Sequence, residues 1–311
     1  MRLIRHLEEL PEDLRGGALT VGNFDGVHRG HARIIETLIA EARRVDGPAI
    51  VFTFDPHPVR LLRPKACPPP LTWTDRKAEL LADLGVDAMI SYATNEEFLR
   101  LTAREFFDKI IIQALSAQAV VEGPNFNFGK NREGNIQTLR EFCEAAGRSL
   151  QVVAALQLHG DTVSSSRVRK MIAAGEVELA VDLLTQPYRI RGMVTHGAGR
   201  GGKIGFPTAN MDAIDTLLPS AGVYAGASQV QGKSWTAAIN IGPNPTFAEQ
   251  RQKVEVHLLD FEGDLYSQPM EVDFHWRVRD VAKFDGVEQL TKQIDADIRA
   301  IRAKKSDDST K

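Results

Sequence analysis

The stretch GNFDGVHRGH, residues 22–31, decides the fold of the first half of the chain. It directly follows the short apolar run ALTVG (residues 18–22), and apolar side chains then recur at helical spacing between residues 34 and 42. Short apolar runs that end in glycine are typical of buried strands, and the later spacing is typical of one face of a helix. The sequence therefore predicts a strand, a glycine-rich turn and a helix, in that order.

This turn has the composition of a phosphate-binding loop. His28 and His31 lie one helical turn apart, and Gly30 lacks the side chain that would keep a phosphate from the backbone. A helix N-terminus supplies free N–H groups and a positive dipole end, and imidazoles donate where negative charge develops on phosphorus. We predict a polyphosphate site here. The alternatives are a turn with two surface histidines and a metal site, for which no third ligand is evident by spacing.

The rest of the first half alternates between strands and helices. Apolar runs at residues 49–54, 88–92 and 117–123 are separated by helix-length segments. Residues 168–184 are predicted to be helical, with a break at Gly175. This rhythm predicts an α/β domain with a parallel sheet and crossover helices.

The pattern changes after Pro187. Short alternating runs with frequent Gly and Pro predict an antiparallel sandwich or barrel. Apolar residues spaced three and four apart over 287–301 then predict one closing amphipathic helix. We place the boundary near residues 184–187, which gives predicted domains 1–184 and 185–311.

Composition excludes several classes of protein. The 311 residues are 43% hydrophobic and 25% charged, as in ordinary folded chains. The 38 Lys and Arg against 41 Asp and Glu leave a net charge of −3, so there is no global cationic field that would attract nucleic acid or anionic lipid. Cys67 and Cys143 are too few for a disulfide scaffold, and no apolar run reaches the length of a membrane span. We expect a cytoplasmic protein without a signal peptide, with neither nucleic-acid nor membrane partners.

The segment GAGRGGKI, residues 197–204, nearly matches two phosphate-binding motifs. It satisfies GxGxxG and also GxxxxGK up to Lys203, but Ile204 stands where a P-loop needs Ser or Thr. Both motifs need a helix to begin at once, and GFP at residues 205–207 resists one. A glycine-rich flap with exposed N–H groups, Arg200 and Lys203 could cover the phosphates of a nucleotide; a simple turn is the alternative.

Polar side chains further along the second half are candidates for metal binding and proton transfer. Thr208 and Asn210 carry neutral oxygens that can complete a magnesium shell, although a plain turn explains them equally well. In VEVHLL the period of two puts Glu255 and His257 on the face opposite Val254, so Glu255 can face a cleft. There it could accept the proton of an attacking hydroxyl; the alternative is an ordinary exposed carboxylate.

The motifs of the first half resemble a known family. HxGH is the signature of nucleotidylyltransferases, and GNFDGVHRGH together with FDPHP (54–58), EGPNFNFGKNREGN (122–135) and SSSRVR (164–169) resembles the adenylyltransferase module of bacterial FAD synthetases. The resemblance implies that His28 and His31 bind ATP phosphates and steady the transferring group, and that Arg169 stabilises the leaving pyrophosphate. It further implies nucleotide contacts at Gly22, Asn23, Phe24, Asp25, Gly30, Asn125, Ser165 and Ser166, and a flavin site walled by Phe54, Pro56 and Pro58.

The second half resembles riboflavin kinase. The motifs GRGGKIGFPTAN (199–210), GVYAG (222–226), INIGPNPTF (239–247) and VEVHLLDF (254–261) occur in that family's order, which implies a riboflavin kinase-like β-barrel. The resemblance assigns Mg²⁺ and ATP contacts to Thr208 and Asn210 and the role of general base to Glu255. It also implies nucleotide contacts at Gly197, Gly199, Lys203 and Pro207, and a flavin contact at Arg279.

Together, the two resemblances imply a bifunctional enzyme of FAD biosynthesis. Its C-terminal barrel would phosphorylate riboflavin to FMN with MgATP, and its N-terminal domain would join FMN to AMP from a second ATP, releasing pyrophosphate. One alternative is a chain in which only one half is active. A second is a flavin-responsive sensor without turnover. Because the motif residues of both halves are intact, we favour the enzyme.

Overall fold

The computed structural model describes residues 1–197, 199–244 and 249–308, with the side chains of 200, 203, 243, 244, 249–252 and 306–308 left aside. The described contacts divide the chain into two compact units. The first contains Met1–Pro68 and Trp73–Ser165, and the second contains Pro69–Thr72 and Ser166–Lys311. Each unit is described separately below.

A parallel sheet forms the centre of the first unit. The strands of this unit are β1 (Arg2–Ile4), β2 (Ala18–Val21), β3 (Ala49–Phe54), β4 (Ala88–Tyr92), β5 (Ala119–Glu122), β6 (Asn127–Phe128), β7 (Gly134–Asn135), β8 (Ser149–Val152), β9 (Gln157–Leu158) and β10 (Asp161–Thr162). Six of them form one sheet in the order β1-β4-β3-β2-β5-β8, and every neighbouring pair is parallel. The predicted α/β domain is confirmed.

Helices connect these strands. They are α1 (Arg29–Arg44), α2 (Pro58–Leu62), α3 (Thr74–Asp83), α4 (Glu96–Arg100), α5 (Ala103–Phe106), which continues as a π-helix over Phe107–Ala114, and α6 (Ile136–Ala145). Helix α1 buries Ile35 and Leu38 against the sheet, in the stripe that the helical spacing predicts. Val51 and Phe52 of β3 are fully buried, because helices and loops cover both faces of a parallel sheet.

The sheet opens at the carboxyl ends of two central strands. The β2–β3 ladder continues to Val21 and the β5–β8 ladder to Glu122, but the pairing of β2 with β5 stops at Leu19 and Val120. The strand order reverses between β2 and β5, and ligands of open α/β sheets bind in the crevice at such a reversal. The GNFDGVHRGH loop begins at this crevice, because it follows β2 directly.

A closed antiparallel barrel forms the second unit. Its strands are β11 (Tyr188–Thr195), β12 (Ala209–Asp212), β13 (Gly222–Val230), β14 (Lys233–Asn244), β15 (Glu249–Leu258) and β16 (Pro269–Arg279), in the barrel order β11-β12-β15-β14-β13-β16. Ile190, Ile239, Val272 and Phe274 fill the interior and are fully buried. Of the two architectures that the alternating pattern allowed, the barrel is confirmed.

Four helices accompany the barrel: α7 (Ser165–Ala174), α8 (Val177–Leu183), α9 (Arg200–Lys203) and α10 (Val287–Asp308). The predicted closing helix corresponds to α10, which buries Ile301 completely. Across the described ranges, no helix combines the length and the apolarity needed to cross a membrane.

Gly175 breaks the helical segment before the barrel, as predicted. It has a φ of +79°, and a Cβ atom there would lie 2.4 Å from Oγ of Ser220. Helix α8 belongs by its contacts to the barrel unit, since the backbone N–H of Arg277 donates to a Glu178 carboxylate oxygen at 2.8 Å. The predicted boundary between the functional domains 1–184 and 185–311 stays a prediction.

An ion pair network on the barrel predicts an unequal effect of two similar substitutions. Arg189 on β11 binds both carboxylate oxygens of Asp273 at 2.6 and 2.8 Å and Glu271 at 3.0 Å, whereas Arg191 makes one exposed pair with Asp215 at 2.9 Å. Arg189→Met leaves the largely buried Asp273 carboxylate without its bidentate partner, so we expect a loss of about 2 to 3 kcal/mol in the free energy of unfolding. Arg191→Met, two residues along the same strand, should lose less than about 1 kcal/mol.

Urea unfolding followed by circular dichroism measures both changes. Equal losses in the two variants would contradict a structural role for the Arg189 network.

Candidate functional site

His28 and His31 form the first turn of α1. His28 is the N-cap, and its Nδ1 accepts the backbone N–H of His31 at 3.2 Å. The two imidazole rings stack with centroids 3.6 Å apart and planes 13° apart. Because Nδ1 is an acceptor, a neutral His28 ring carries its proton on Nε2 and can donate from there. The structure thus places the two predicted phosphate-binding side chains together.

The ring of His31 is set up for an anionic ligand. Its buried Nδ1 atom has no hydrogen-bond partner among the described residues. Burial, with smaller contributions from the neighbouring His28 and Lys77, lowers the pKa of His31 well below its ordinary value, so the ring is neutral at pH 7. An anion at this position would supply a hydrogen-bond acceptor for the ring.

Lys77 is a site residue that the sequence analysis missed. It lies on α3 with 9% of its surface exposed, and its Nζ donates to Oγ1 of Thr53 at 3.3 Å. The Thr53 hydroxyl in turn donates to the backbone carbonyl of Asn23 at 3.2 Å. Burial lowers the pKa of Lys77, while the carboxylates of Asp25 and Asp55 act in the opposite direction. The chain of contacts ties α3 to the start of the GNFDGVHRGH loop.

Other residues of this loop are held close to the histidines. The ring of Phe24 lies 4.9 Å from that of His31, and Asp25 is buried with its carbonyl accepting the Ser165 hydroxyl at 2.8 Å. A Cβ atom at Gly30 would lie 3.1 Å from the His28 ring, which explains why a residue without a side chain stands there. Gly22 and Asn23 lie directly after β2, and the side-chain oxygen of Asn23 has no hydrogen-bond partner in the described part of the chain.

The predicted flavin-site residues lie at the same edge of the sheet. Phe54 ends β3, and half-buried Pro56 and Pro58 follow it. Phe54 packs against Phe98 with ring centroids 5.6 Å apart. Asn125 is exposed in the turn after β5, at the carboxyl edge that the loop after β2 also occupies.

Ser166 and Arg169 follow Ser165 along the chain. Both belong by their contacts to the second unit. There the Nε–H of Arg169 donates to the carbonyl of Pro69 at 3.1 Å. Their roles toward a nucleotide stay predictions.

In the barrel, Asn210 and Glu255 lie side by side on neighbouring strands. They are partners in the register of β12 with β15, and Thr208 directly precedes β12, two residues before Asn210. Val254 and Val256 are 3% and 1% exposed, so the alternation predicted for VEVHLL is observed, with Glu255 on the outer face. Thr208, Asn210 and Glu255 therefore lie together.

The glycine-rich segment packs onto these residues. A Cβ atom at Gly197 would lie 2.2 Å from the amide nitrogen of Asn210, and one at Gly201 would lie 3.3 Å from Oγ1 of Thr208. A side chain at position 197 would force the Asn210 side chain to move, and one at position 201 would also collide with the carbonyl oxygen of Phe206, 2.4 Å away. Gly199 has a φ of +64° and precedes the single helical turn α9, which the sequence analysis did not predict.

Parts of two predicted motifs lie outside the described residues. They are Ala198, the side chains of Arg200 and Lys203, and residues 245–248, which include the end of INIGPNPTF.

A cavity of about 110 Å³ adjoins the start of β12. Pro207 and Thr208 line it together with Val256 and Phe261 of the VEVHLLDF motif and with Asp264 and Tyr266, which the sequence analysis did not single out. An apolar wall with a few polar groups is typical of a small-molecule site. Asp264 and Tyr266 lie beyond the VEVHLLDF motif, so only their position in the fold identifies them.

The side-chain oxygens of Thr208, Asn210 and Glu255 are of the kinds that fit a magnesium ion arriving with a phosphate. The residues offer neutral oxygens at Thr208 and Asn210 and one carboxylate at Glu255, and the backbone at Gly197 fixes the amide of Asn210. Mg²⁺ keeps several waters and binds few protein ligands when substrate phosphates complete its shell. Within the described residues, no group of three His, Cys, Asp or Glu side chains forms a metal site.

The Arg279 side chain forms several hydrogen bonds within the second unit. Its Nε donates to both carboxylate oxygens of Asp297 at 3.0 Å, and its Nη1 donates to the carbonyl of Asp280 at 2.8 Å. Asp297 lies on α10 and is 6% exposed. These bonds join the end of β16 to the closing helix, and the predicted flavin contact stays a prediction.

Comparison with known proteins matches each half of the chain to a family. The FAD synthetase family model matches residues 10–167, and the riboflavin kinase family model matches residues 184–305. A bifunctional riboflavin kinase/FMN adenylyltransferase of Pseudomonas fluorescens is 38% identical over 304 residues, which cover 97% of each chain. A protein of the same description from Bacillus subtilis is 35% identical over 93% of this chain and 92% of its own.

A solved structure is similar over nearly the whole chain. It is described as a macrolide-efflux protein from Streptococcus pneumoniae, and it matches with a TM-score of 0.86 and 30% identity over 96% of this chain and 98% of its own. The two family models and the relatives that cover nearly the whole chain thus agree with the resemblances that the motifs indicate. The chain belongs to the family of bifunctional riboflavin kinases/FMN adenylyltransferases.

Proposed function

We propose that the chain makes FAD from riboflavin in two steps, with MgATP as co-substrate in both. One observation supports this proposal above the others: each unit brings together motif residues of its own half of the chain. The first unit holds the His28–His31 pair, and the second holds Thr208, Asn210 and Glu255. Nothing in the described residues favours the single-activity or sensor alternatives.

Adenylyl transfer takes place in the first unit. A phosphate oxygen of FMN attacks the α-phosphorus of ATP, a new O–P bond forms, and pyrophosphate leaves with the bonding electron pair. The FMN phosphate is already ionised at pH 7, so positioning and charge stabilisation matter more than a general base. Arg169, at the end of the SSSRVR motif, would stabilise the pyrophosphate.

The two histidines have distinct roles in this step. His28 donates from Nε2 to a phosphate oxygen, because its Nδ1 is occupied by the His31 N–H. His31 is neutral in the free protein, and the charge of bound phosphates would favour its protonated form. It therefore supplies positive charge only when the nucleotide is in place. Gly22, Asn23, Phe24, Asp25, Gly30, Asn125, Ser165 and Ser166 would complete the nucleotide site.

Phosphoryl transfer takes place in the barrel. Glu255 accepts the proton of the ribityl primary hydroxyl as that oxygen bonds to the γ-phosphorus of ATP, and ADP leaves. Thr208 and Asn210 would hold the Mg²⁺ that accompanies ATP, and this ion would offset charge on the β- and γ-phosphate oxygens. Gly197, Gly199, Lys203 and Pro207 would contact the same nucleotide.

Flavins are expected to occupy one site in each unit. Phe54, Pro56 and Pro58 would wall the FMN site of the first unit, and Arg279 would lie near the flavin of the second. The expected partners are ATP and flavins, without nucleic acid or membrane, and the expected location is the cytoplasm.

Chromatographic separation of flavins tests the whole proposal. The purified chain is incubated with riboflavin, ATP and magnesium, and products are followed with time. FMN that appears first and FAD that follows would support both activities. FMN alone would contradict adenylyl transfer, and no conversion would favour the sensor.

The double substitution His28→Ala with His31→Ala should abolish FAD formation and spare FMN formation. Removing a preorganised donor at a developing charge costs about 100-fold or more in rate, and here two are lost. The measurement is FAD formation from supplied FMN and ATP. The rate of riboflavin phosphorylation by the same preparation is the internal control, and its loss with the fold intact would contradict separate sites.

Glu255→Gln should have the opposite effect. The amide has a similar shape but cannot accept the hydroxyl proton, so riboflavin phosphorylation should fall by about 100-fold or more. FAD formation from supplied FMN should continue at the wild-type rate. A Glu255→Gln protein that phosphorylates riboflavin normally would exclude Glu255 as the general base.

A further inference from the structure

Glu122 is a buried carboxyl group to which the mechanism above gives no role. It is the last residue of β5 and is 3% exposed. One of its carboxylate oxygens accepts the backbone N–H of Val21 at 2.6 Å. Val21 is the last residue of β2, and the phosphate-binding loop begins at the next residue. The bond therefore joins the two strand ends that border the crevice.

The Glu122 side chain stands where a strand carbonyl would normally be. The N–H of Gly22 donates to the carbonyl of Phe52 on β3 at 3.0 Å. Since successive N–H groups of a strand point to opposite sides, the N–H of Val21 points toward β5. The β2–β5 ladder has already stopped at Leu19 and Val120, and the Glu122 carboxyl accepts that N–H instead.

The ladder between β2 and β5 ends before either strand does, while each strand remains paired with its outer neighbour, β3 or β8, as far as Val21 and Glu122. A glutamate side chain reaches farther than a backbone carbonyl, so a bond through it joins strand ends that the ladder no longer pairs. The loops that follow the two strands start at residues 22 and 123. Their separation at the start sets the width of the crevice at the point where the strand order reverses.

Burial also affects the state of this carboxyl. Desolvation raises the pKa of Glu122 well above its ordinary value, and the Val21 N–H offsets this only in part. A neutral side chain of the same shape, such as glutamine, still offers an oxygen to the Val21 N–H. Leucine has a comparable size and offers none.

We propose that Glu122 is a positioning residue for adenylyl transfer, which joins the ends of β2 and β5 through its bond to Val21 and thereby fixes the loop that carries His28. The inference rests on the proposed adenylyltransferase activity. Glu122 acts through the backbone of Val21 and does not contact the reacting atoms.

Three variants test this role. Glu122→Leu removes the acceptor, Glu122→Gln keeps it, and Glu41→Leu is the matched control. Glu41 is also a buried carboxylate of the first unit, 8% exposed and bonded to Arg44 and Ser149, but it lies near the end of α1 away from the loop. If leucine prevents folding, Glu122→Ala replaces it with the same expected direction.

Steady-state FAD formation from FMN and ATP is the first measurement. We expect Glu122→Leu to lower kcat by about 10-fold to 100-fold, because a displaced loop misaligns the reacting groups, with a smaller change in the KM for FMN. Glu122→Gln should recover most of this loss, and Glu41→Leu should stay within about twofold of the wild type. Riboflavin phosphorylation should be similar in all variants.

Hydrogen exchange at the Val21 amide is the second measurement, and it does not depend on activity. We expect slow exchange in the wild type and in Glu122→Gln, and faster exchange in Glu122→Leu. A Glu122→Leu protein with wild-type kcat, a Glu122→Gln protein as slow as Glu122→Leu, or an equal loss in Glu41→Leu would overturn the inference. A wild-type protein that forms no FAD while the Val21 amide is protected would instead contradict the proposed activity.

Discussion

The ends of β2 and β5 separate after Leu19 and Val120, and the first candidate site depends on that separation. Parallel strands that stay paired to their ends would bring the loops that follow them into contact. Here the Val21 N–H bonds to a side chain instead, so the GNFDGVHRGH loop and the turn that holds Asn125 start on opposite sides of a gap. The position of the histidine pair then follows from local geometry, because the loop leads into α1 and His28 caps that helix.

The barrel site depends on a different constraint, the alternation of side chains along a strand. Val254 and Val256 must face the interior of a closed barrel, which puts Glu255 on the outer face, opposite Asn210 in the register. The backbone at Gly197 then packs against the Asn210 amide, where any side chain would collide. The histidine pair and the Asn210–Glu255 pair are thus each positioned by the packing of a single unit.

The sequence was sufficient for local features and insufficient for long-range ones. Apolar runs, helical spacing and alternation predict the parallel sheet, α1, the barrel and the outward position of Glu255, because each depends on neighbours within a few residues. The Glu122–Val21 bond joins residues 101 apart, and Lys77 reaches the loop through Thr53, 24 residues away. The apolar run 117–123 and the motif at 122–135 draw attention to Glu122, but no local pattern indicates its partner Val21 or distinguishes Lys77 from a surface lysine, so the folded chain is needed to identify these contacts.

Mixing two inactivated proteins tests most directly the claim that the two sites are separate. One carries His28→Ala and His31→Ala, the other carries Glu255→Gln, and riboflavin is the only flavin supplied, with ATP and magnesium. The account predicts little FAD from either protein alone and restored FAD formation in the mixture, because FMN released by the first is a substrate for the second. A mixture that still accumulates only FMN, while the Glu255→Gln protein converts supplied FMN to FAD, would contradict it.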